Sequence, residues 1–133
     1  MGNSMGISHI TLITIPVTDQ DKAKDFYARL GFEVINDHEM TPDEMPPEPG
    51  LRWLQLGTPG GETTVVLATW GVGGLRPGAQ HISVACKDVK GLHNELASAG
   101  VEASPVFDAP FGAFFSVEDP DGNGVMIVEE SGD

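Results

Sequence analysis

Residues 7–15, Ile-Ser-His-Ile-Thr-Leu-Ile-Thr-Ile, are rich in β-branched side chains and predict a strand that Pro16 brings to an end. Ala23, Phe26, Tyr27 and Leu30 then fall at i, i+3, i+4 and i+7, the apolar stripe of a helix. Thr18 or Asp19 can cap its start, and Gly31 stands where a left-handed residue ends a helix most easily. Residues 32–35 read as a second strand. Residues 37–50 carry four prolines and five acidic residues, which predicts a surface loop, with a lid over a nearby site as the alternative. Residues 51–56 and 63–70 form a hairpin around Thr58-Pro59-Gly60-Gly61. The glycine-rich residues 71–78 lack the spacing and the lysine of a phosphate loop and precede a strand, so they read as a linker.

The order then repeats. Residues 80–86 predict a strand, and Asp88 caps a helix whose buried stripe is Val89, Leu92, Leu96 and Ala99, ended by Gly100. A strand is expected within residues 101–107, then a loop bearing Pro110. A final hairpin turns through Asp119-Pro120-Asp121-Gly122-Asn123-Gly124. Setting Gly31 over Gly100 also sets Asp19 over Asp88 and Phe32 over Val101. The expectation is a single α+β domain of two βαβββ modules, 7–70 and 79–130. Together they would form an eight-stranded curved sheet around a cleft, with the helices outside. A sheet with open edges also tends to pair with a second chain, so a homodimer is expected.

Strand periodicity sorts the faces. Ile13 with Ile15, Ile82 with Val84, Leu54 with Leu56 and Phe115 with Val117 suit the helix side. The opposite rows, Leu12 and Thr14, Trp53 and Gln55, His81 and Ser83, Phe114 and Ser116, then face the cleft. Aromatic walls with a few polar groups suit a small-molecule pocket.

Seven Lys and Arg against twenty Asp and Glu give a net charge of −13, a field that repels phosphate backbones and argues against nucleic acid as a partner. Cys86 is the only cysteine, which leaves no internal disulfide and reads as a small buried hydrophobe. Apolar runs fall far short of the ~18 residues of a membrane span, and residues 1–6 lack the features of a signal peptide or a myristoylation site. The expected compartment is the cytoplasm, with no membrane partner.

The run Ile15-Pro16-Val17-Thr18-Asp19-Gln20-Asp21-Lys22-Ala23, with Phe26-Tyr27 and Leu30-Gly31-Phe32, resembles the first module of the vicinal-oxygen-chelate superfamily. Asp119-Pro120-Asp121-Gly122-Asn123 resembles the signature before the last strand of its second module. That superfamily includes glyoxalase I, extradiol dioxygenases, and fosfomycin- and bleomycin-resistance proteins. The resemblance implies paired modules, usually in a homodimer. In the enzymes it also implies a divalent metal held by His and Glu from the first and last strands of each module. His81 sits where a second-module ligand would, but its repeat-mate is Leu12. His9 lies three residues earlier, and an odd shift turns it to the other face. The acidic position of the last strand is Met126, and its counterpart is Leu67, or Val65 if the turns align more strictly. Glu130 shares the face of Met126 but lies about 6–7 Å further along the strand. Glu129 points the other way, and His38 and His93 read as surface residues.

One imidazole does not hold a catalytic metal, for which three protein ligands are the usual minimum. The expected function is therefore a bleomycin-resistance-like protein that binds a small, partly aromatic molecule in the cleft, with neither metal nor other cofactor. The alternative is a metal-dependent glyoxalase-type lyase, isomerase or dioxygenase with a shifted ligand set. His81 is the one candidate for a catalytic role, as a general base. The expected ligand-binding residues are Leu12, Thr14, Trp53, Gln55, Leu67, His81, Ser83, Phe114 and Met126.

Overall fold

A computed structural model describes residues 5–41, 51–70 and 74–130. The elements follow the order β1 (Leu12–Pro16), α1 (Gln20–Leu30), β2 (Glu33–Glu39), β3 (Arg52–Gly57), β4 (Thr64–Ala68), β5 (His81–Cys86), α2 (Val89–Ser98), β6 (Phe107–Ala109), β7 (Gly112–Glu118) and β8 (Gly124–Glu129). The strands make two four-stranded sheets of identical topology, β1-β4-β3-β2 and β5-β8-β7-β6. Within each, the first strand runs parallel to the last and the remaining pairs are antiparallel. Each half is thus a βαβββ module of an α+β fold. Among the described residues no helix is long and apolar enough to cross a membrane.

Local chemistry explains the helices. The Asp19 carboxylate accepts the Lys22 amide at 3.1 Å and Asp88 accepts the Gly91 amide at 2.9 Å, so each helix opens on a side-chain cap. Gly31 ends α1 at φ 110°, a conformation that strains any residue with a Cβ. The helices bury Ala23 and Tyr27 from α1, and Val89 and Leu96 from α2, against the inner rows of the sheets. Ile15, Leu54, Leu56, Val65, Leu67, Phe115, Val117 and Ile127 complete one continuous core spanning both modules. Every row assigned to the helix side from periodicity packs in or against that core.

Several expectations need correction. The first ladder begins at Leu12, not Ile7, because β4 offers its first partner only at Thr64. Residues 7–11 instead lie before the sheet, without regular structure. The second strand continues to Glu39, into the stretch expected to be a loop, since it keeps pairing with β3 after a bulge at Ile35. The proline-rich residues 42–50, and any lid made from them, lie outside the described residues. Residues 101–106 contribute an isolated bridge from Ala103 to Val117, and the strand itself starts only at Phe107 and runs to Ala109. Ala99 is exposed at the end of α2 and so leaves the buried stripe. His93, read from the sequence as a surface residue, is half-buried. His93 packs edge-on against Phe115, centroids 4.9 Å apart, while its Nε2 meets the Ser104 carbonyl oxygen at 2.9 Å.

The turn before β8 ties the modules together. Asn123, 1% exposed, accepts the Gly78 and Gln80 amides on Oδ1. Its Nδ2 donates to the Pro16 carbonyl at the end of β1 and to Asp119. Asp119, 4% exposed, also accepts the Tyr27 hydroxyl from α1 at 2.9 Å and the amides of Asp121 and Asn123. Asp121 in turn accepts both the amide and the hydroxyl of Thr18. Backbones press together here: a Cβ on Gly78 would sit 2.8 Å from the Asp121 carbonyl oxygen, and both Gly78 and Gly122 hold positive φ. A buried polar group without partners costs about 1–3 kcal/mol, so a single side chain that satisfies groups on three segments fixes how they meet.

Asn123→Ala strands the Gly78, Gln80 and Pro16 backbone groups, and should lower unfolding free energy by about 3 kcal/mol in urea titration. Thr18→Val, on the exposed side of the same knot, should cost less than about 1 kcal/mol. The knot also makes stability depend on alkali. Burial pushes the Tyr27 phenol upward and the neighbouring Asp119 carboxylate adds to the rise. The stabilisation this provides is complete below the ordinary phenol pKa of about 10 and is lost as pH climbs above it toward the folded value. The urea midpoint should therefore fall above about pH 10 more steeply in the wild type than in Tyr27→Phe.

Candidate ligand-binding site

Parallel pairing aligns corresponding positions of the two modules: Leu12 faces Thr64 and Thr14 faces Val66 across β1 and β4. Across β5 and β8, His81 faces Gly124 and Ser83 faces Met126. The first-module counterpart of Met126 is therefore Val66, not Leu67. Leu67 is fully buried in the helix-side core together with Val65, so neither reaches the cleft face. The reason is parity. Aligning the turns by sequence misplaces β4 by one residue, and one residue in a strand exchanges the faces.

On the first module's cleft face the polar groups form a relay. Trp53 Nε1 donates to Gln55 Oε1 at 3.1 Å, Gln55 Nε2 donates to Thr64 Oγ1 at 2.8 Å, and Thr64 Oγ1 donates to the Thr11 carbonyl at 3.0 Å. Each half-buried polar group is thereby satisfied, and the Trp53 ring is oriented from within the sheet. Trp70, just beyond β4, stacks on it with centroids 6.3 Å apart and 23° between planes. Thr64 is not among the site residues expected from the sequence. Its only signal there is its place between two apolar rows.

The second module repeats this layout in other residues. Phe114, at the place of Trp53, lies between Phe107 at 5.6 Å and Phe111 at 5.5 Å, centroid to centroid. Phe107 and Phe111 remain 50% and 62% exposed, an aromatic platform open to solvent. The next same-face residue along β7, Ser116, borders a cavity of about 750 Å³ that also takes in Gln80, His81, Glu102, Ser104 and Glu118. The His81 ring lies over Gly124, where any Cβ would run into Nδ1. His81 is exposed, and Gln80 Oε1 accepts its backbone amide at 3.1 Å.

Of the expected site residues, Trp53 and Gln55 are joined directly, and His81 lines the same cavity as Ser116. Leu12, Thr14 and Met126 are half-buried on the cleft face. Ser83 lines a different cavity, between the sheets. The cavity at His81 draws all of its lining from residues 78–124, so the first module's tryptophans do not share it.

The family model of the glyoxalase/bleomycin resistance protein/dioxygenase superfamily matches residues 6–127. The chain belongs to that superfamily. Among solved structures it resembles TnmS3, an antibiotic binding protein from Streptomyces sp. CB03234, at 34% identity and TM-score 0.80, covering 96% of this chain and 99% of that one. A glyoxalase/bleomycin resistance protein from the same organism matches at 31% identity and TM-score 0.76, covering 90% and 99% of the two chains. A superfamily member from Sphaerobacter thermophilus DSM 20745 matches at 34% identity and TM-score 0.76, covering 93% and 98%. Curated proteins gave no match.

Superfamily enzymes hold a divalent metal from the first and last strands of each module. In this member those strands offer Leu12, Val66, His81 and Met126 on the cleft face. Among the described residues no three His, Cys, Asp or Glu come close enough together to hold a metal ion. A hydrocarbon–imidazole–thioether set does not fit a hard divalent cation. Outside the cleft face, Arg52 joins Asp37 at 2.8 Å and Asp21 at 2.9 Å, and its hydrogen bonds hold the Asp37 carboxyl below the usual carboxylate range.

Gly124→Ala should leave the fold intact, since Gly124 does not need a positive φ, while forcing the His81 imidazole aside. The expected result is a moved His81 Hε1 resonance in proton NMR with unfolding free energy changed by less than about 1 kcal/mol.

Proposed function

We propose that this protein binds a small, partly aromatic molecule of the antibiotic kind on its cleft face, without a catalytic metal. One observation carries the reading: Trp53 and Phe114 hold equivalent places on the two sheets, and each has further rings beside it, Trp70 stacked on Trp53 and Phe107 and Phe111 against Phe114. Flat rings offered to solvent cost free energy unless a ligand covers them, and stacking rewards a planar partner by about 0.5–1.5 kcal/mol per ring beyond the burial itself. Hydrocarbon at the metal corners and the likeness to an antibiotic binding protein support the same reading. The net charge of −13, with Glu102 and Glu118 at the cavity, favours a neutral or cationic ligand over an anion.

Among the described residues, neither aromatic group lines the cavity at His81. A homodimer resolves this by bringing the first module of one copy against the second module of the other, giving two equivalent clefts. His81 then acts as a polar anchor on the cleft wall, and the expected compartment is the cytoplasm.

Titration with planar aromatic antibiotics should quench tryptophan fluorescence, and Trp53→Ala and Phe114→Ala should each weaken binding about tenfold or more. Prior treatment with a chelator should leave the affinity unchanged. Absence of quenching across neutral and cationic aromatics, or loss of binding on chelation that added zinc or nickel restores, would overturn the reading.

A further inference from the structure

We infer that Asn123-Gly124 is a latent self-modification site: the fold keeps it inert, and opening of the turn before β8 lets it convert to aspartate or isoaspartate, after which the turn cannot close as before.

The chain has four asparagines, and only Asn123 precedes a glycine; Asn3, Asn36 and Asn94 precede Ser, Asp and Glu. The following residue matters because its backbone is the nucleophile. The Gly124 amide nitrogen bonds to the Asn123 Cγ as its proton passes through water to Nδ2. The Cγ–Nδ2 bond breaks, ammonia leaves, and a five-membered succinimide ring remains. Water then opens the ring at either carbonyl, giving aspartate or isoaspartate without oxidation or reduction. Glycine has no Cβ to hinder the approach and reaches backbone conformations closed to other residues.

In the folded chain both reacting groups are held off this path. An amide side chain offers two acceptor places and two donors, and Asn123 fills all four. Oδ1 accepts the Gly78 and Gln80 amides at 2.9 and 3.1 Å, while Nδ2 donates to the Pro16 carbonyl at 2.8 Å and to Asp119 at 2.9 Å. The leaving nitrogen is thus anchored, the amide plane cannot swing toward its own backbone, and the residue is closed off from water. The attacking group is engaged as well, since the Gly124 N–H donates to the Gln80 carbonyl at 3.0 Å. Gln80 therefore grips both reactants, one through its N–H and the other through its C=O.

The products do not fit the place the amide vacates. Aspartate has no N–H for the Pro16 carbonyl, and it sets a second carboxylate against Asp119 where Nδ2 now donates. Isoaspartate lengthens the main chain by a carbon beside the point where the Gly78 and Asp121 backbones already press together. Opening of the turn is therefore reversible only while the amide survives, and time spent open is recorded as a covalent change.

The test is to hold the wild type at mildly alkaline pH, folded in buffer and unfolded in guanidinium chloride, and to follow Asn123 by peptide mass spectrometry. Conversion in the folded protein should be about a hundredfold or more slower, because it waits on the open fraction. On dilution from guanidinium, the yield of refolded protein should fall in step with conversion. Gly124→Ala, whose Cβ hinders the attack, should keep its yield over the same time. Asn123→Asp, which carries one product from the start, should show a lowered guanidinium midpoint or no folded state. Any of four results would overturn the inference: folded conversion within about twofold of the unfolded rate, converted chains that refold with the wild-type midpoint, an Asn123→Asp midpoint equal to that of the wild type, or a loss of yield that Gly124→Ala does not prevent.

Discussion

The fold depends on a buried amide and a buried carboxylate. Asn123 and Asp119 gather the end of β1, helix α1, the segment entering β5 and the turn before β8 into one hydrogen-bonded knot, in which both side chains are closed off from water. Two small modules, each with one helix on one sheet, could meet in many ways if apolar burial alone held them, since burial is not directional. The knot removes that freedom. Its polar groups find partners in one relative placement, so it adds orientation to what the shared core supplies in free energy.

That placement leaves a division of labour between the two faces of each sheet. The helix side is filled by a continuous aliphatic and aromatic core, while the opposite side keeps a relay of hydroxyl and amide groups, stacked rings and a single imidazole. In a superfamily whose enzymes place metal ligands at four corners of that second face, this member has hydrocarbon at two, a thioether at one and histidine at the last. The proposed binding of a flat apolar molecule rests on what remains there.

The helix stripes apart from Ala99, the Asp88 cap, the βαβββ element order of the modules, and the sorting of Ile13, Ile15, Leu54, Leu56, Phe115 and Val117 to the helix side were legible in the sequence, because helix and strand periods and cap chemistry act between residues close in the chain. The family, too, was legible, through two short motifs. One of these, Asp119-Pro120-Asp121-Gly122-Asn123, reads locally as turn chemistry alone. Its larger role involves Tyr27, Pro16 and Gly78, tens of residues away, and no local pattern announces such partners.

Tertiary structure decided the rest for the same reason. Leu67 belongs to the core and Val66 to the cleft face because the β1–β4 ladder sets the parity, and a ladder is a relation between distant segments. Thr64 matters only because Gln55 reaches it across β3 and β4, and His93 is half-buried only because Phe115 and the Ser104 carbonyl stand opposite it. The sequence by itself determined which segments are strand or helix and which side of each is apolar, since those follow from spacing along the chain. Which residues from different segments share a cavity, a relay or a knot was set only by the packing of the two modules, where register and burial select among contacts that spacing leaves equivalent.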